Sequence, residues 1–130
     1  MTYKSHINEL CKKHKIRKFV RKGITEQAYL DDRIIHIHPL KNLRSYIVAL
    51  HEIGHIINRN KKDKFLMSEK LAWEWAKKNS LVWNDQTEKL RVKCLNSYVE
   101  CAKEYLFISK EIDKLNKRLQ DLYERWQGKS

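Results

Sequence analysis

The sequence predicts an α+β fold dominated by helices, with a small antiparallel sheet ahead of a buried helix and a helical C-terminal region. Three observations predict it. Apolar residues recur at three- and four-residue spacing over most of the chain. A stretch before Pro39 instead alternates apolar with polar residues around a turn. From Asn84 to Gln127 neither Gly nor Pro interrupts the helical pattern. At 130 residues the chain has the size of one domain. That domain is read as 1–130, with a core over about 15–80 and C-terminal helices over about 84–127.

Ile7, Leu10, Cys11 and His14 place a short amphipathic helix between Thr2 and about His14. Gln27-Ala28-Tyr29-Leu30 and Arg33 to His38 read as two strands of a β-hairpin turning at Asp31-Asp32, with a possible third strand before them. Pro39 ends the last strand, since it cannot donate to a ladder. From about Leu40 to Asn58, Leu43, Ile47, Leu50, Gly54 and Ile57 share one face of a buried helix, and Asn58 to Lys64 is a polar loop. Ser68 is placed to cap a helix running to about Lys78, with Leu71, Ala72, Trp75 and Ala76 inward. Asn84 or Asp85 caps the C-terminal helical stretch. That stretch is one very long helix or, as the preferred reading, two packed helices with a break near Phe107 to Ser109.

Composition bounds the function classes. With 42% hydrophobic residues the chain is too apolar for a wholly disordered protein, and no 18-residue apolar run exists for a membrane span. The N-terminal segment has no apolar core of an export signal, and the three cysteines, without a CxxC, read as free thiols. A cytoplasmic location is the expectation. The net charge of +12 permits steering toward nucleic acid or an acidic protein. Its one dense run, Lys12 to Lys22, carries no nucleic-acid motif and reads as a solvated face.

The chemistry concentrates at His51-Glu52-Ile53-Gly54-His55 inside the apolar helix. Two histidines four positions apart lie on one helical face, so both imidazoles can reach one tetrahedral metal. Glu52 points elsewhere by one step, within reach of a water on that metal but not as a natural third ligand. This is the HExxH arrangement of zinc hydrolases. Two core-edge histidines bonded to backbone or carboxylate groups are the bland alternative. Such a site needs a third ligand and an open position. His6, His14, His36 and His38 all precede the motif, which excludes arrangements with a third histidine downstream. Glu69 and Glu74 remain as candidates, five positions apart and so unable to face one metal together. Asp63 is a weaker option in the loop.

Ser45 to His55, followed by Glu69-Lys70-Leu71-Ala72-Trp73-Glu74-Trp75-Ala76, resembles the small zincin-type metallopeptidases of phages and prophages related to the ImmA/IrrE group of gluzincins. In that group a glutamate ligand is followed three positions later by alanine, then by an aromatic and another alanine. Glu69, Ala72, Trp75 and Ala76 keep that register and Glu74 does not. Leu71 and Trp73 depart from it, where a second acid and an Asn or Asp are usual. The resemblance covers about residues 26–80. It implies a minimal zincin-like domain, one zinc ion on His51, His55 and Glu69, and Glu52 as general base in hydrolysis of a peptide bond in a specific protein target. The substrate is then a protein or peptide, with no membrane involved.

Other residues carry weaker expectations. Tyr98 or Tyr105 could donate to the oxyanion, although core packing is the plainer role. The strand at Arg33 to His38, read as an edge, could hold an extended peptide, and its His36 and His38 lie opposite Ile35 and Ile37. Trp73, Trp75, Trp83 and Trp126 read as packing, and Cys94 and Cys101 as small buried hydrophobes. A rival reading is a zincin-fold binding or regulatory protein, which keeps the metal as a pin and uses its basic surface on DNA or a protein partner. Glu52→Gln separates the two, since only a peptidase needs that base. If HExxH is accidental, no metal binds.

Overall fold

The computed structural model describes residues 1–59 and 65–128, the side chain of Phe65 excepted. It divides into two compact units, Met1–Leu95 and Asn96–Ser130. The first contains α1 (Tyr3–Lys13), β1 (Arg17–Val20), β2 (Gln27–Tyr29), β3 (Ile34–Ile37), α2 (Leu43–Ile57), α3 (Phe65–Asn79) and the start of α4 (Asp85–Trp126). The rest of α4 forms the second. The α+β class and the helical dominance agree with the sequence reading.

Helix starts are set by short polar side chains. Thr2 and Ser5 cap α1 reciprocally, as Asn42 and Ser45 cap α2, each pair satisfying two backbone donors that a helix start leaves open. The Asn42 cap moves the start of α2 to Leu43, beyond the expected Leu40. Asn84 and Thr87 repeat the device at α4: Asn84 Oδ1 accepts from the Thr87 amide, and Thr87 Oγ1 accepts from the Asn84 amide. α3 begins at Phe65, ahead of Ser68, so Ser68 is an internal residue and not a cap. The loop expected over Asn58–Lys64 lies mostly outside the described residues.

The sheet is mixed, which corrects the expected all-antiparallel one. β3 lies in the middle, antiparallel to β2 and parallel to β1. The chain reverses twice between β1 and β3, first through the loop where Gly23 takes a φ of +74° and then through the hairpin after β2, so β3 regains the direction of β1. The central position also overturns β3 as a docking edge. Both its sides are paired, and among the described residues the open edges belong to β1 and β2. Alternation along β3 holds: Ile35 and Ile37 are fully buried. His36 packs edge-on against Phe19 and Tyr29 on the other face, and both His36 and His38 are half-buried.

α2 is the hub, touching α1, α3, β2 and β3. It is therefore buried on nearly every side, not along one stripe: Tyr46, Ile47, Ala49, Leu50, Ile53 and Ile56 are all fully enclosed. Tyr46 ties three segments together. Its ring stacks on Tyr3 at 4.4 Å, and its hydroxyl accepts from the Leu81 amide at 2.9 Å while lying 2.6 Å from His6 Nδ1. Donation to Nδ1 leaves His6 neutral, in keeping with burial lowering its pKa despite the nearby Glu9.

α4 is one continuous helix of 42 residues, which corrects the preferred break near Phe107 to Ser109. Ser109 is the only short polar residue there. With neither Gly nor Pro beside it, nothing interrupts the hydrogen-bond ladder. Cys94 is half-buried but Cys101 is exposed, so only the former approaches its expected role. Among the described residues no helix is long and apolar enough to cross a membrane.

Candidate metal centre

Where α2 and α3 cross, three side chains from the two helices converge. His51 and His55, one turn apart on α2, hold their rings 4.6 Å apart at 69°. Glu69 on α3 reaches between them, with Oε2 at 2.8 Å from His51 Nε2 and Oε1 at 3.1 Å from His55 Nε2. One ligand atom from each residue lies within 4.8 Å of the others, so the trio could hold a metal ion. His51, Glu52 and Glu69 are buried and His55 is half-buried.

The crossing depends on Gly54. A Cβ at that position would lie 2.6 Å from the Ala72 carbonyl oxygen and 3.1 Å from its Cα. No side chain fits there, so the absence of one lets α3 approach one turn beyond Glu69. Glu69, Ala72, Trp73 and Ala76 form the buried face of α3, at the i, i+3, i+4 and i+7 spacing of one helical stripe. The inward set expected from sequence was offset: Ala72 and Ala76 are buried as foreseen, Leu71 and Trp75 are only half-buried, and Trp73 is 1% exposed.

Trp73 is the neighbour that sequence reasoning missed. Its ring stacks on His51 at 4.4 Å and 22°, fixing the imidazole from its flat side. Its Nε1 is buried without a hydrogen-bond partner among the described residues. The available signal was its position four residues after Glu69, which puts both on one face.

The outer nitrogens of both histidines also have neighbours. His51 Nδ1 lies 3.5 Å from Glu52 Oε1, and His55 Nδ1 lies 3.4 Å from Ser68 Oγ. With acceptors at Nδ1, Nε2 is the nitrogen that faces the centre: it donates to Glu69 here, and once deprotonated it would present a lone pair there, the usual outer-shell arrangement of metal-bound histidine. A tetrahedral zinc with arms of about 2.0–2.1 Å spaces its ligand atoms about 3.3 Å apart. The present contacts of 2.8 and 3.1 Å are a few tenths shorter. They are made by different oxygens of Glu69, and the three ligand atoms lie within 4.8 Å of one another, so the trio could close on a metal ion.

Without metal, charge and hydrogen bonding hold the trio together. Burial opposes ionisation of His51, but hydrogen bonds to Glu52 and Glu69 and their charges outweigh it and raise its pKa to about 9. Burial likewise opposes ionisation of Glu69, and hydrogen bonds and charge from both histidines override it, lowering its pKa to about 2. The two shifts agree on an ionised His51–Glu69 pair.

The remaining candidates separate clearly. Glu74 is exposed and outside the trio, as its 140° offset on the helix demands. Asp63 lies outside the described residues. In the second unit, Tyr98 is half-buried and Tyr105 is 72% exposed, so Tyr105 is not a core tyrosine. In the basic run, the Lys and Arg side chains are exposed except for half-buried Lys18. No family model, no curated protein and no solved structure matches the chain.

Proposed function

We propose that this chain is a metal-dependent peptidase of the zincin kind, with one zinc ion held by His51, His55 and Glu69 and with Glu52 as general base. The observation that carries the proposal is the convergence of two helix-borne imidazoles and one carboxylate, through a crossing that only a glycine permits. Two nitrogen donors and one oxygen favour zinc over magnesium or calcium, which prefer all-oxygen cages.

When bound, the ion supplies a water acidified toward neutrality and polarises the scissile carbonyl. The protein does the rest. Glu52 takes the proton from the attacking water as the C–O bond forms, and delivers it to the leaving amine as the C–N bond breaks. Ser68 orients His55 through its Nδ1, Trp73 keeps water off one face of His51, and Glu52, whose Oε1 lies 3.5 Å from the outer His51 Nδ1, would turn from it toward the water to act as base. β2 is the open edge that touches α2, which makes it the edge for an extended peptide to lie along. The likeness of the Ser45–His55 and Glu69–Ala76 segments to phage and prophage peptidases supports a specific protein target.

Glu52→Gln tests this reading. Cleavage of a peptide library, followed by mass spectrometry on zinc-loaded protein, should fall by about 10²–10⁴-fold while bound zinc is unchanged. Undiminished cleavage by the Gln variant would reject Glu52 as the base. A wild-type protein that binds zinc but cleaves nothing, and whose biological effect survives Glu52→Gln, would favour a binding protein.

A further inference from the structure

The second unit presents an apolar stripe with a regular period. From Tyr105 onward, apolar residues alternate at spacings of three and four, with Tyr105, Ile112, Leu119 and Trp126 in the first position of each heptad and Ile108, Leu115 and Leu122 in the fourth. All are on the surface, from Ile112 at 50% to Trp126 at 83% exposed. Over three heptads, about 31 Å of helix, these positions repeat with the period of a coiled-coil seam, and exposed Leu106, Phe107 and Tyr123 lie outside them. A monomer leaves all seven seam side chains at least half exposed to water, the kind of contiguous apolar patch that marks an interaction surface.

The charges beside the seam identify the occupant. The residues preceding each first position are Glu104, Glu111, Arg118 and Arg125, acidic in one half and basic in the other. In an antiparallel pair these positions face one another across the seam. Two copies then set Glu104 against Arg125 and Glu111 against Arg118, each pair formed twice by the two-fold axis. In a parallel pair the same residues would meet Ser109, Asn116 and Tyr123, which offer no charge. Core layers match in the antiparallel register as well: Ile112 meets Leu115, Ile108 meets Leu119, and Tyr105 meets Leu122. One layer further out, bulky Trp126 meets small Cys101. The exposed Glu111–Lys114 contact of 3.4 Å within one helix is a weak surface pair and does not compete with this arrangement.

We infer that residues 101–126 of α4 form an antiparallel coiled-coil homodimer with a second copy of this chain, oriented by Glu104–Arg125 and Glu111–Arg118 pairs. The inference stands independently of the metal centre. Sedimentation equilibrium of the full chain should give twice the 15.8 kDa mass at tens of micromolar. R118E/R125E sets like charges against each other in every flanking pair and should weaken the dimer by about a hundredfold or more. Mixing R118E/R125E with E104R/E111R should restore it as a heterodimer. Circular dichroism of each variant confirms that α4 remains helical. Under mild oxidation, W126C should link its new thiol to Cys101 of the second copy. A monomer at several hundred micromolar, a larger oligomer, a dimer indifferent to the charge reversals, or a Cys101–Cys101 linkage would each overturn the inference.

Discussion

Gly54 and Ala72 meet backbone to backbone, so closely that a methyl group on Gly54 would stand 2.6 Å from the Ala72 carbonyl oxygen. The glycine at the fourth position of His51–His55 thus sets the separation of the two helices that carry the candidate ligands. Gly54→Ala should gain about 1 kcal/mol in helix propensity. It should lose more than that, because the opposing atom is a backbone oxygen that cannot rotate away. The expected net result is a loss of about 1–2 kcal/mol, seen as a Tm about 3–8 °C lower. Zinc affinity should fall with it, since Glu69 is carried away with α3. A variant at least as stable as the wild type with unchanged zinc affinity would contradict this geometry.

Trp73 stacks on His51, and its indole N–H is buried without a hydrogen-bond partner among the described residues. Trp73→Ala should cost about 3–5 kcal/mol through the cavity it opens. Trp73→Phe keeps an aromatic face for His51 and removes the unpaired donor, so it should stay within about 1–2 kcal/mol of wild type and still bind zinc. Chemical denaturation of the metal-free proteins measures both. Equal losses in the two variants would mean that the stacking face contributes nothing.

The elevated His51 pKa gives metal binding and stability opposite pH trends. In the metal-free protein that pKa is about 9 against 6.5 for the unfolded chain. Its contribution is therefore fully present below pH 6.5 and lost as pH rises through about 9. For Glu69, lowered from 4.5 to about 2, the contribution is present above pH 4.5 and lost as pH falls through about 2. Thermal unfolding in chelator should therefore show Tm declining between pH 6.5 and 9, with a shallower slope in Glu69→Gln. Zinc must displace the His51 proton, so its affinity should rise about tenfold per pH unit over the same range. A flat Tm together with pH-independent zinc affinity would contradict the ionised His51–Glu69 pair.

Much of the site is legible in the sequence because its chemistry is local. His51 and His55 are one turn apart, and any helix through them brings the imidazoles together. Glu69 is a different case. Composition and periodicity leave both Glu69 and Glu74 open, and the choice comes only from the resemblance that the register of Ala72, Trp75 and Ala76 carries. In the structure, the face bearing Glu69 is the face that meets α2. Because that face contains a carboxylate, a hydrophobic pattern alone shifts toward Leu71 and Trp75 and passes over Trp73. The parallel pairing of β1 with β3 depends on which strand is inserted between its neighbours, a non-local choice that no short pattern encodes. The continuity of α4 was legible in the absence of Gly and Pro. The preferred break near Phe107 to Ser109 had no Gly or Pro to cause it.

The most direct test of the metal centre is the metal content of protein purified without added metal, with wild type beside His55→Ala, Glu69→Ala and Glu74→Ala. About one zinc per chain is expected in wild type and in Glu74→Ala. Loss is expected in His55→Ala and Glu69→Ala. A wild-type chain that retains no zinc even after it is supplied, or a Glu69→Ala chain that retains it fully, would contradict the account.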